Sequence, residues 1–182
     1  LWSGATAGAE PTVHFTEVHG VLDDQTNHSW TNAVAACDLN GDMLPELYFA
    51  NDFGPDRLLY NRSTPGHLRF TPLVGVETLT TPPSKVLGLD SFKGMGVDCA
   101  DLNGDGLPDI FVSNITSQYS FEESNLVFLS TGQLNAMQDG VAPYVESCES
   151  LGLCRSGWAW DVKMADFDNM GTLQIIQAEG FV

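Results

Sequence analysis

Apolar and polar residues alternate along this chain in short runs bounded by Gly, Pro, Asn and Asp, a pattern that predicts β-strands and leaves helix a poor alternative. The clearest unit reads TNAVAACDLNGDMLPELYFAN from Thr31. It recurs as GMGVDCADLNGDGLPDIFVSN from Gly94 and as AWDVKMADFDNMGTLQIIQAE from Ala159. The three copies align without gaps on Asp38, Asp101 and Asp166, so roughly 60 residues separate successive copies, a period typical of tandem repeats. A Val precedes each aligned Asp (Val34, Val97, Val162) and an aliphatic residue follows it (Leu47, Ile110, Ile175) at matching offsets. Each copy is therefore an apolar run, an acidic turn and a second apolar run, which predicts a β-hairpin. Pro45 and Pro108 stand before the second run, where a fixed φ helps the chain leave the turn and no N–H is needed for the ladder.

Further strand-like runs follow the first two hairpins: Arg57 to Asn61 and Leu68 to Leu73, then Asn125 to Leu129 and Pro143 to Glu146. Four strands per repeat, in tandem, are the signature of propeller blades, each of which buries a sheet face against its neighbour. The fold expected is all-β: a partial, open β-propeller of four-stranded antiparallel blades with hairpin loops suited to Ca²⁺. Residues 30–73 and 94–147 read as blades, 158–182 as the first hairpin of a third blade, and 13–18 as the fourth strand of a preceding one. All of 1–182 then belongs to one propeller, whose ring the remainder of a longer polypeptide or other protein chains would complete. Thr78 to Asp90 and Thr131 to Gly140 read as surface loops.

Charge sharpens this picture. Seven Lys and Arg stand against 24 Asp and Glu, a net charge of −17, which repels nucleic acid and anionic lipid. No apolar run approaches the length of a membrane span. The carboxylates cluster in the turns, as cation sites require. Cys148 and Cys154 lie six positions apart in a loop, close enough to be joined in a small ring. Cys37 and Cys99 lie in apolar runs and read as buried thiols acting as small hydrophobes. His14, His19, His28 and His67 are scattered and suit the surface, not a zinc site.

In the second turn, oxygen-bearing side chains occupy alternate positions: Asp101, Asn103, Asp105 and Asp109, with Gly104 and Gly106 between them. Such spacing lets side chains and the Leu107 carbonyl surround a hard cation such as Ca²⁺, while glycine permits the tight bend. The first turn offers Asp38, Asn40, Asp42, the Leu44 carbonyl and Glu46, with Met43 where the second has Gly106, so either strain or a shifted backbone is expected. The third keeps only Asp166 and Asp168, with Met170 and Gln174 at the other acidic positions, and is expected to bind weakly or not at all. An EF-hand would need a terminal Glu and flanking helices, whereas Phe49 and Val112 stand there, inside strands. The competing explanation is that Asn, Asp and Gly simply make a good turn; three regularly spaced copies weigh against it.

These turns and hairpins resemble the FG-GAP/VCBS repeats of the integrin-α type. Trp158-Ala159-Trp160 and Phe15-Thr16-Glu17-Val18 are more narrowly similar to ASPIC/UnbV-associated repeats of the cartilage acidic protein kind. The resemblance implies a secreted, extracellular or periplasmic, calcium-stabilised propeller acting as a structural module that binds a glycan or an extracellular protein. An ancillary or catalytic propeller of a secreted hydrolase or dehydrogenase is the alternative. It finds no GxSxG, HExxH or Cys/His pairing in the sequence, and the chain is expected not to be an enzyme.

Two further features bear on surface chemistry. Trp30, Trp158 and Trp160, near the hairpin starts, suit packing between blades better than stacking on sugars. Asn27-His28-Ser29, Asn61-Arg62-Ser63 and Asn114-Ile115-Thr116 are acceptor sequences for N-glycosylation in a eukaryotic secreted protein.

Overall fold

The computed structural model describes residues 2–5 and 12–180. Its strands are β1 (Trp2–Ala5), β2 (Thr12–Phe15), β3 (Thr31–Cys37), β4 (Glu46–Asn51), β5 (Arg57–Asn61), β6 (Phe70–Leu73), β7 (Gly96–Ala100), β8 (Asp109–Ser113), β9 (Leu126–Ser130), β10 (Tyr144–Glu146), β11 (Ala159–Ala165) and β12 (Gln174–Glu179). β3-β4-β5-β6 form one antiparallel meander and β7-β8-β9-β10 a second. β11-β12 and β1-β2 are two-stranded hairpins. The protein is thus all-β and built of four-stranded antiparallel sheets. Two single-turn α-helices, α1 (Asp24–Asn27) and α2 (Cys148–Leu151), and two short 3-10 helices, Pro83–Lys85 and Leu134–Asp139, interrupt it among the described residues.

The gapless sequence repeat becomes a gapless structural one. Cys37 pairs with Glu46, Ala100 with Asp109 and Ala165 with Gln174, so each hairpin closes in the same register around its acidic turn. A one-residue slip would invert every side chain of the strand, and the apolar alternation forbids it. β8 makes this plain: Ile110 and Val112 pack toward the first sheet, whereas Phe111 packs toward the third. Buried on both faces, β8 has no exposed residue and reads as a continuous apolar run.

The first two sheets enclose the larger core, with Tyr48, Leu58, Leu73, Val97, Leu126 and Phe128 among its residues. A smaller core of Phe111, Val127, Cys148, Val162 and Met164 joins the second sheet to the third hairpin. β7 lies between β3 and β11, and the approach is close: a Cβ on Gly96 would stand 2.6 Å from the Asp161 Cα. Met164 N donates to Asp98 Oδ2 (2.8 Å) across that contact.

Four expectations need correction. Cys37 and Cys99 are joined in a disulfide, Cα to Cα 6.4 Å. Each lies near the end of the first strand in its own copy, and stacking β3 beside β7 brings them together. The strand expected over 13–18 covers Thr12–Phe15 and pairs with Trp2–Ala5, and Val13 and Phe15 are exposed. The segments between sheets are only partly surface loops, because Val86, Leu87, Asp90 and Met137 are buried. A parallel bridge between Val74 and Val141 ties the two sheets at that rim. Finally, Trp30 is not packed between sheets: it is 69% exposed and meets the Phe53 ring edge-on at 5.9 Å. Cys148 and Cys154 do form a disulfide, with Cα atoms 4.8 Å apart.

Candidate metal centre

The first and second acidic turns are superimposable in their hydrogen bonding. In the second, Asp101 Oδ1 accepts from the amides of Gly104 (2.8 Å) and Asp105 (3.0 Å), and its Oδ2 from Gly106 (2.9 Å). Asn103 Oδ1 accepts from the Asp105 amide (2.9 Å), Asn103 Nδ2 donates to Asp105 Oδ2 (3.0 Å), and Asp105 Oδ1 accepts from Leu107 N (2.9 Å). In the first turn Asp38 receives Gly41, Asp42 and Met43, Asn40 receives Asp42, and Asp42 receives Leu44, all between 2.8 and 3.1 Å. The alternate side chains named from the sequence therefore converge on one set of loop amides.

Position six of the turn requires a left-handed backbone, where φ is 88° at Gly106 and 83° at Gly171. Met43 takes the same conformation at 67°. The backbone has not shifted, so the side chain there bears the strain of a Cβ crowding its carbonyl.

The last residue of each turn works differently. Glu46 Oε2 accepts from Leu39 N (2.9 Å) and Oε1 from Asn61 N (3.3 Å). Asp109 Oδ2 accepts from Leu102 N (2.9 Å) and Oδ1 from Ser130 N (2.8 Å). Each carboxylate thus clamps the second residue of its turn to the end of the third strand. Gln174 keeps half of this, accepting from Phe167 N at 2.7 Å. Burial pushes Glu46 up to about 7, with the nearby Asp42 charge adding to it, and burial raises Asp109 as well. In the third turn Asp166 Oδ1 accepts from Met170 N and Oδ2 from Gly171 N. These amides, Gly171 first, hold it below the usual carboxylate range. Asp168 Oδ1 receives Met170 N and Gln174 Nε2.

The donors gathered in the first two turns are all oxygen, the set a hard divalent cation takes and zinc does not require. Among the described residues no group of three His, Cys, Asp or Glu stands ready to hold a metal. The reason lies in the clamp: Asp109 and Glu46 face backbone amides, leaving two carboxylates and an Asn in each turn. Asp101 Oδ1 and Asp38 Oδ1 each take two amides, whereas Asp101 Oδ2, Asp38 Oδ2 and both oxygens of Asp105 and Asp42 take one donor apiece, which leaves each of these a lone pair for a cation.

One constellation was not foreseen. Asp56 is buried, receives Asn51 N on Oδ1 and the Tyr48 hydroxyl on Oδ2 (both 2.8 Å), and gives its own amide to Asp90 Oδ1 at 3.1 Å. Asn125 fills the same role in the second sheet, receiving Asn114 N, with Phe111 where Tyr48 stands. The connections leading to Asp56 and Asn125 differ in length, so no gapless alignment pairs them.

Antiparallel four-stranded sheets stacked face to face, each with the same amide-lined acidic turn at one corner, define a tandem β-repeat protein. Residues 38–112 match the FG-GAP-like repeat. The match suggests a β-propeller-type binding or structural module. Such repeats are typically extracellular, the two disulfides are consistent with an oxidising compartment, and no helix among the described residues is long and apolar enough to cross a membrane. No curated protein matches the chain significantly.

Proposed function

We propose that the chain is a section of an extracellular or periplasmic β-propeller whose acidic turns take Ca²⁺, and that it serves as a calcium-stabilised scaffold for binding a protein or glycan. The observation that carries this reading is the identical convergence of Asp101, Asn103 and Asp105, and of Asp38, Asn40 and Asp42, on their loop amides. Bound Ca²⁺ supplies a fixed positive charge at the turn. The chain's own part is to hold the carboxylates in register, to offer the Leu107 and Leu44 carbonyls, and to keep the turn closed through Asp109 and Glu46. Asp166 and Asp168, with Gln174 beside them, make a third turn of much lower affinity. The narrower likeness to ASPIC/UnbV-associated repeats belongs to this reading. So does the absence of catalysis, which is supported by turn carboxylates committed to backbone amides. The remaining blades come from the rest of the polypeptide or from other chains.

A site with a dissociation constant of about 0.1–1 mM, in about 1 mM calcium, stabilises the fold by roughly 0.4–1.4 kcal/mol through mass action. Calcium is then a structural support, not a switch. Calorimetric titration with CaCl₂ and melting in CaCl₂ or chelator are expected to show binding and a higher Tm. Asp105→Ala should lose most of the second turn's share. Equal melting of both proteins in both buffers, with no binding heat, defeats the reading.

A further inference from the structure

Three acceptor sequences for N-glycosylation lie in the chain, and the fold treats them unequally. Asn114 is fully buried and its Nδ2 donates to Ser124 O at 2.7 Å. Its companion Thr116 is 5% exposed and bonds Gly157 O while receiving the amides of Ser156 and Gly157, so that this sequence is sealed between the second sheet and the third hairpin. Asn61 is buried in β5, its Nδ2 donating to Pro45 O (2.9 Å) and its Oδ1 receiving Ser63 N. A sugar on either nitrogen would have to occupy core volume and break a bond that closes a repeat. Asn27 is the opposite case. It ends the single turn of α1, is exposed, and has His28 and Asp24 beside it, with side chains 70% and 98% exposed. The Ser29 hydroxyl bonds only the Gln25 carbonyl, at 2.8 Å.

We propose that Asn27 is the N-glycosylation site of this protein and that Asn61 and Asn114 are not modified in the folded chain. The donor class is an oligosaccharide joined through N-acetylglucosamine to a lipid pyrophosphate. A bond forms between Asn27 Nδ2 and the anomeric carbon, the bond from that carbon to the phosphate oxygen breaks, the lipid pyrophosphate leaves, and the amide nitrogen gives its proton to the transferase. Since Asn27 precedes β3 whereas the acidic turn follows it, the glycan stands at the end of the sheet away from the cation turns.

This inference rests on the extracellular part of the proposed function, and the experiment separates the two. The chain is secreted from a eukaryotic host, its thiols are titrated, and its peptides are mapped by mass spectrometry before and after enzymatic deglycosylation. The expected result is no free thiol, a glycan on Asn27, unmodified Asn61 and Asn114, and loss of the whole mass increment in Asn27→Gln with an unchanged Tm. Secreted, fully oxidised protein lacking a glycan at Asn27 overturns the inference alone, as does a glycan on Asn61 or Asn114. Secreted protein with free thiols and no glycan overturns both.

Discussion

At the scale of single residues, Met43 and the Asp56–Asp90 pair are two places where local preference and the fold disagree. Met43 is 86% exposed and holds φ at 67°, so it gains little packing in return for a left-handed backbone. Met43→Gly restores what Gly106 supplies in the next repeat, and it should stabilise the fold by about 0.5–1 kcal/mol after the entropy of the added glycine is subtracted. In urea the midpoint rises with an unchanged slope; a fall in the midpoint would mean the Met side chain is needed. Asp56 and Asp90 pose an electrostatic problem, faced by Tyr48, Arg57 and Glu123. Burial, and secondarily the Asp90 charge, raises Asp56 well above the carboxylate range, and burial raises Asp90 to about 6. Both pKa values lie above those of an unfolded Asp, near 3.9, so the native state binds protons the unfolded chain releases. The Asp90 contribution is fully present below about pH 4 and is lost as pH rises through about 6, and Asp56 and Glu46 add slopes of the same sign. Melting measured without calcium from pH 5 to 7.5 should show Tm falling, and the fall should be shallower in Asp90→Asn. A slope untouched by that substitution removes Asp90 as its source.

At the scale of elements, the hairpin is the unit the sequence spells out, because its register depends on neighbours a few residues apart. The contacts between sheets are another matter. β3 and β7 are joined by Cys37–Cys99, which closes a span of 62 residues, whereas Cys148–Cys154 closes six. On chain entropy the long bridge restricts the unfolded state by about 4 kcal/mol and the short one by about 2. Denaturant unfolding of Cys37→Ala/Cys99→Ala should therefore reveal about twice the loss seen in Cys148→Ala/Cys154→Ala. An equal or smaller loss would show that the β3 to β7 contact holds without its covalent link. Neither cysteine's partner could be read from its own copy, since each lies among apolar residues that would suit a free thiol equally well.

At the scale of the whole molecule, a net charge of −17 works against compaction. Raising NaCl from low to moderate concentration screens this repulsion and should lift Tm by about 2–4 °C if the repulsion amounts to about 1 kcal/mol. Calcium must exceed this at matched ionic strength to count as specific. A Tm insensitive to NaCl would locate the repulsion outside the folded core. The sequence alone determined what is local and periodic: the strand pattern, the three hairpins in common register, and the acidic turns whose oxygens alternate because side chains two apart share a side of the bend. The resemblance to FG-GAP repeats was legible for the same reason. Tertiary structure decided what depends on which repeat lies beside which. It set Cys37 against Cys99, closed Gly96 onto Asp161, and left Trp30 in solvent. It turned Glu46 and Asp109 into clamps on Asn61 and Ser130, and it buried Asp56 beside Asp90. Periodicity says which face of a strand is covered, but the identity of the covering atoms comes from segments far away in sequence, and their loop lengths break the repeat.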